Sequence, residues 1–207
     1  MVSNYDLRAW FFKLIYKVKI KLYIYCINYV VHLICAIKGL ERGKNVKFLG
    51  FPKIYREPYS KIRVGNNCRF NSAKRSVQMG LLKPCTFLTL TRNAEIIFGD
   101  CSGASGVTIA AADKIQIGNN VIIGANCNII DNDFHNTNPS RRVENDFAAR
   151  PIIIEDDVFI GFNCFILKGV TIGRNSVIGA NSVVISNIPS DSIAMGNPCK
   201  VVLKRNW

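Results

Sequence analysis

His135 is one of two histidines in the chain and lies in the stretch DFHNTNPSRRVENDFAARP, which also holds Asp133 and Glu144 and follows Asp131. An imidazole titrating near pH 6.5, roughly the value of free histidine, can accept a proton under neutral conditions. A carboxylate beside it fixes the tautomer and stabilises the imidazolium that forms. The group could therefore act as a general base, taking a proton from an attacking hydroxyl or amine. Asp131, Asp133 and Glu144 are all candidates for the supporting acid. Taken alone, the same histidine reads first as an ordinary solvated loop residue. His32 sits in an apolar N-terminal stretch and is read as packing or interfacial.

The elements that must position His135 are visible as a repeat. Every sixth residue from Ile154 is β-branched: Ile154, Ile160, Ile166, Ile172, Ile178 and Val184. The same frame runs upstream through Ile117, Ile123 and Ile129. Three residues after each comes Asn120, Asn126, Asn132, Asp157, Asn163, Gly169, Asn175, Asn181 or Asn187. Asn, Asp and Gly tolerate a left-handed backbone, so each unit reads as a short strand and a corner. The next position is mostly compact (Val121, Cys127, Val158, Cys164, Val170, Ser176, Ser182) and is expected to point inward. Such units stack as a solenoid of parallel strands. Weaker copies at Val64–Phe70 and Phe98–Cys101 place its start near residue 45. The rhythm is interrupted once, by the polar excursion 133–151 that carries His135.

Residues 1–44 differ from the solenoid of residues 45–207 and its C-terminal tail. They are helix-like, apolar and basic, with Lys13, Lys17, Lys19 and Lys21 among aromatics. The longest run without a charge, Leu22 to Ile37, is short of the roughly twenty apolar residues of a membrane span. Contact with an anionic membrane surface through residues 1–42, or packing on protein, are the two readings. The net charge of +13 suits anionic partners. No nucleic-acid motif accompanies it. The eight cysteines include no C-x-x-C pair, and the N-terminus lacks a signal-peptide pattern. Buried reduced thiols and a cytoplasmic location, free or at the inner face of a membrane, are expected.

The units IGNNVI, IGANCN and IIDNDFH, then IEDDVF, IGFNCF, ILKGVT, IGRNSV, IGANSV and VISNIP, closing on MGNPCKVV, resemble the hexapeptide-repeat acyltransferases. They are most similar to the branch acetylating sugars and polysaccharide precursors, with the maltose, galactoside and virginiamycin acetyltransferases. The resemblance implies an all-β solenoid, a left-handed parallel β-helix, here with an N-terminal helical segment. It implies a homotrimer with sites between subunits, acetyl-CoA as co-substrate and no metal. His135 then matches the loop base that deprotonates an acceptor hydroxyl as it attacks the thioester directly. Gly161 or Phe162 would offer a main-chain N–H to the oxyanion. Phe162 and Ala180 match co-substrate contacts. Ile185 and Ser186 stand where the family has a Thr-Lys pair, so a cation is lost there. Lys200 matches a basic residue facing the co-substrate's phosphates, and Lys204 could add a second charge. Ser105, Asp113 and Asp131 fall where acceptor contacts lie. The implied activity is O-acetylation of a sugar hydroxyl, in a surface polysaccharide or its precursor. An amino-sugar N-acetyltransferase and a non-catalytic trimeric scaffold are the alternatives. A zinc enzyme of the same repeat would need three histidine ligands, and the chain has two histidines.

Overall fold

The computed structural model describes residues 4–73, 77, 80–144 and 147–204. Residues 1–3 of the N-terminal segment, 145–146 of the expected excursion and 205–207 of the tail lie outside them. So do the side chains of Lys17, Lys19 and Lys21.

A single helix, α1 (Asn4–Ile37), precedes six three-stranded coils. The first coil is β1 (Leu40–Arg42), β2 (Lys47–Leu49) and β3 (Lys53–Tyr55). The second is β4 (Lys61–Val64), β5 (Arg69–Asn71) and β6 (Thr86–Thr89). The third is β7 (Glu95–Phe98), β8 (Gly103–Ser105) and β9 (Thr108–Ala111). The fourth is β10 (Lys114–Ile117), β11 (Ile122–Ile123) and β12 (Asn128–Ile130). The fifth is β13 (Ile152–Ile154), β14 (Phe159–Ile160) and β15 (Phe165–Leu167). The sixth is β16 (Thr171–Ile172), β17 (Val177–Ile178) and β18 (Val183–Val184), and the hairpin β19 (Ser192–Gly196) and β20 (Cys199–Lys204) closes the end.

Successive coils pair in parallel, so the strands sort into three sheets. Face 1 holds the first strand of each coil, face 2 the second with the closing hairpin, and face 3 the third. The solenoid is thus a three-sided prism with three edges. It begins at Leu40, five residues before the expected start, because Leu40 already pairs with Ile62. The repeat is also broken twice rather than once. Residues 72–85 leave at the edge between faces 2 and 3, and residues 131–151 leave at the edge between faces 3 and 1.

The six-residue frame is the inward row. Ile117, Ile123, Ile129, Ile154, Ile160, Ile166, Ile172, Ile178 and Val184 are all buried. Each such aliphatic contributes about 1.5–3 kcal/mol relative to an exposed one. In the first coils the same space is filled by Phe48, Phe70, Phe87 and Phe98, with ring centroids 5.0–5.9 Å apart. Seven of the nine expected left-handed corners adopt positive φ, which identifies the residue type as a backbone requirement there. The exceptions are Asn132, which enters the second excursion, and Asn187, whose side chain accepts from the Thr171 N–H at 2.8 Å. Cys68, Cys127 and Cys164 are buried and donate their thiols to glycine carbonyls one coil on, at 3.1 Å. They act as compact inward residues.

The helix joins the prism through one stripe, Ile27, Val31 and Cys35, at a spacing of four. Asn28 accepts from the Phe48 N–H at 2.7 Å and ties that stripe to face 2. Among the described residues no helix is long and apolar enough to cross a membrane.

Candidate active site

His135 stands just beyond a short two-stranded stem. The stem forms because Asn132 bridges Ala149 in antiparallel fashion, while Arg150 N–H donates to the Asp131 carbonyl at 2.8 Å. Asp133 N–H donates to the Ala148 carbonyl at 3.2 Å. Phe134 then takes φ +60°, a left-handed conformation unusual for an aromatic residue, and accordingly a strained one. Its N–H is held by Asn132 Oδ1 at 2.9 Å. The turn delivers His135 to the surface, exposed. Beyond it, Asn138 caps the 3-10 turn Pro139–Arg141 through the Ser140 N–H.

The three candidate acids have different surroundings. Asp131 is 0% exposed. Its oxygens accept from the N–H groups of Ala112 and Asp113, at 2.7 and 2.8 Å, and from the Asn132 amide at 3.1 Å. Burial nevertheless holds its pKa above the usual carboxylate range. It is a tie between coils, so direct acceptor contact by Asp131 does not fit its geometry. Asp133 pairs with Lys168, both half-buried. Glu144 pairs with Arg141 at 2.7 Å, both exposed. Among the described residues none of the three is hydrogen-bonded to His135. Lys168 was not singled out by sequence. It comes from the coil above, and no local spacing connects it to Asp133.

The expected site residues divide between two edges. His135, Asp131, Asp133, Asp113, Ile185 and Ser186 lie on the edge between faces 3 and 1, with Glu144 on the excursion it emits. Ser105, Gly161, Phe162 and Ala180 lie on the edge between faces 2 and 3. Lys200 is just past the closing turn at the same edge's end, opposite Met195. Within one chain, Ile185 and Ser186 therefore lie on a different edge from Phe162 and Ala180.

The edge between faces 2 and 3 is built from main chain. A Cβ on Gly124 would lie 2.6 Å from the Gly161 carbonyl carbon. One on Gly161 would lie 2.6 Å from Ala180 N. The Gly161 N–H is spent on the Ile178 carbonyl at 2.8 Å. Of the two expected oxyanion donors, only the N–H of Phe162 remains available. Among the described residues, the N–H groups of Ala125, Phe162 and Ala180 donate to no other group, and they stack as a column. Ala125 was missed because nothing in its side chain signals a main-chain role. At the foot of the column, the 72–85 excursion packs down through Leu82 N–H on Asn126 Oδ1 at 3.0 Å and Lys83 on Asn128. Burial lowers the Lys83 pKa. Ser105 Oγ accepts from Asn71 at 2.9 Å. Among the described residues no three metal-ligating side chains converge.

A family model described as the hexapeptide repeat of succinyl-transferase matches residues 151–186. Residues 151–186 thus carry a hexapeptide repeat. It is 38% identical over 100 residues to a galactoside O-acetyltransferase of Lactococcus lactis, covering 48% of each chain. A hexapeptide-repeat acetyltransferase from Vibrio cholerae, crystallised with acetyl-CoA, is 34% identical with a TM-score of 0.54. That likeness covers 58% of this chain and 66% of the other. An N-acyltransferase from Bacillus cereus shares the fold more widely, with a TM-score of 0.66 over 85% of this chain and 89% of its own, at 20% identity. The chain has the left-handed parallel β-helix fold of these neighbours, with a helical N-terminus. It spans about half the length of the curated relatives it matches.

Proposed function

We propose that the chain is an acetyl-CoA-dependent O-acetyltransferase acting as a homotrimer on a sugar hydroxyl of a surface polysaccharide or its precursor. The observation that carries this reading is the division of the candidate residues between two edges of one chain. A base on one edge and a column of unpaired N–H groups on another meet only if one subunit's His135 faces the next subunit's Phe162. A closed three-fold ring makes that contact three times.

In such a site the pantetheine arm of acetyl-CoA runs along Ala125, Phe162 and Ala180. Lys200 meets its phosphates as a point charge. The acceptor oxygen attacks the thioester carbon while His135 takes its proton. The Phe162 N–H donates to the carbonyl oxygen as it becomes an oxyanion. Collapse breaks the carbon–sulfur bond, and the imidazolium returns the proton to the departing thiolate. The products are an acetyl ester and CoA thiol, with His135 regenerated as the free base. Lys168 and the half-buried Asp133 hold the stem that aims the base, and Asp131 holds the root of the stem. Helix α1 is the part assigned to a membrane surface at the cytoplasmic side, which would bring the enzyme to lipid-borne acceptors.

Incubation with acetyl-CoA and a panel of free, nucleotide-linked and lipid-linked sugars, read by thiol release and product mass, tests the activity. Transfer to a hydroxyl is expected, with His135→Ala reducing kcat by about a hundredfold or more. Acetylation of amino sugars alone would replace this reading with the N-acetyltransferase. Near-normal turnover by His135→Ala would remove the base.

A further inference from the structure

Residues 1–73 carry 14 of the 27 Lys and Arg but only 3 of the 14 Asp and Glu, so +11 of the net +13 lies at one end of the chain. That end is α1 with the first coil and the first two strands of the second. On face 1 most of its cations are neutralised: Arg63 pairs with Glu41 at 2.6 Å and Lys61 with Glu95 at 3.2 Å, with Arg42 the exception among the described residues. On face 2 they are not. Lys47 and Arg69 occupy directly registered positions on β2 and β5, both exposed. Among the described residues neither pairs with a carboxylate. Like charges side by side across strands repel, and a bound anion would relieve that cost. Farther along the same outward row the cations give way to Gly103, Ile122 and Phe159. On that row, among the described residues, the unpaired cations are confined to the two coils beneath α1.

Those coils and the helix enclose a groove of about 590 Å3, lined by Asn28, His32, Asn45, Lys47, Asn67 and Arg69 among others. Its size is that of a small-ligand site. Among the described residues no carboxylate lines it. His32 has its pKa lowered by burial and by the Arg42 charge, so the cations lining the groove are Lys47 and Arg69, with Arg42 nearby. The amides of Asn45 and Asn67 are bonded to each other at 3.2 Å and set a polar rim. The helix above it leaves the prism after its buried stripe. Toward its start it presents Trp10, Phe11 and Phe12 at 63%, 57% and 70% exposure, beside the exposed Arg8 and Lys13. Aromatic and cationic side chains together are the composition of a segment lying at a lipid interface.

We infer that this groove binds the phosphodiester headgroup of an anionic membrane lipid, with Lys47 and Arg69 bridging the phosphate. The choice of a lipid over a soluble phosphate ester rests on α1 as the membrane-facing element. Docking there would hold the prism by its basic end.

Co-sedimentation of the full chain with phosphatidylcholine vesicles, with and without phosphatidylglycerol, tests this. The chain is expected to prefer the anionic vesicles. Lys47→Glu with Arg69→Glu should weaken that binding by about thirtyfold or more, since each basic residue near such a surface counts substantially. Lys53→Glu with Arg174→Glu makes the same change in net charge away from the groove and should cost about threefold at most by the same rule. Acetyl transfer to a soluble acceptor should be unchanged in the groove pair, which also reports that it folds. Equal losses from both pairs, or wild-type binding by the groove pair, would overturn the groove site. Substituting Trp10, Phe11 and Phe12 by serine should abolish vesicle binding. If it does not, the membrane role of α1 fails separately. Binding of soluble glycerophosphoglycerol without any vesicle binding would overturn the lipid source.

Discussion

Two edges of one prism do different work. The edge between faces 2 and 3 is regular above its excursion and made of backbone. Glycines at Gly124, Gly161 and Gly179 let successive coils approach until there is no room for a side chain. What it offers outward is a row of N–H groups. The edge between faces 3 and 1 is irregular and made of side chains. A buried carboxylate, a half-buried ion pair and a strained aromatic turn hold one imidazole away from the scaffold. A repeat can thus supply a long, sequence-tolerant groove on one edge and a single reactive group on another. On the proposed reading, a neighbouring subunit brings the two together.

Removing the tie at the root of the excursion should have the largest effect on stability. Asp131→Ala leaves the buried Ala112 N–H and the part-buried Asp113 N–H without acceptors, which should cost about 3 kcal/mol in denaturant unfolding. Asp131→Asn keeps an acceptor oxygen and should cost less. The pH dependence follows from the sign of the shift. Because burial raises the folded-state pKa of Asp131, its contribution is fully present below its unfolded value of 3.8 and is lost as pH rises through the folded value. Asp131→Asn should flatten that segment of the stability profile; an unchanged slope would show that another group produces it.

A pair of glycine substitutions separates the edges next. Gly161→Ala drives a methyl against the main chain of the coil above and should cost about 2–3 kcal/mol. Gly169→Ala, on the other edge, meets the end of the flexible Arg150 side chain at 3.1 Å, and its φ of +77° supplies the main penalty. That should be about 1–2 kcal/mol. Thermal or denaturant midpoints showing the reverse order would contradict the backbone-built edge. The smallest expected effect is Lys168→Met, which removes the partner of Asp133. Its stability change should be about 1 kcal/mol or less. A several-fold fall in kcat with KM for acetyl-CoA unchanged would mark Lys168 as a positioning residue. A rise in that KM alone would place it on the co-substrate side.

Much of the fold was legible because its two rules are local. The six-residue frame predicts the buried row, and Asn, Asp or Gly predicts most of the left-handed corners. Asn132 and Asn187 escape because their side chains are used where the regular path ends. The 72–85 excursion was not legible, since the coils before it fill their core with phenylalanine and depart from the aliphatic frame. Asp131 read as a catalytic candidate from its nearness to His135 in sequence. Its burial follows from the coil below, 18 residues earlier, whose N–H groups it accepts. The two-edge arrangement was implicit in the repeat. Ile185 and Phe162 cannot share an edge when three units make a turn, but that needs the phase to be carried through the coils. The N–H column leaves no mark in side-chain identity.

Subunit mixing tests the shared site most directly. His135→Ala and an edge variant, Phe162→Pro or Ala180→Glu, are each expected to be nearly inactive. Co-refolded in equal amounts, they should regain about a quarter of wild-type activity per site. In a heterologous ring a site is complete when the intact histidine of one subunit faces the intact edge of the next. No recovery from mixed trimers, with both parents folded, would contradict a site shared between edges of neighbouring subunits.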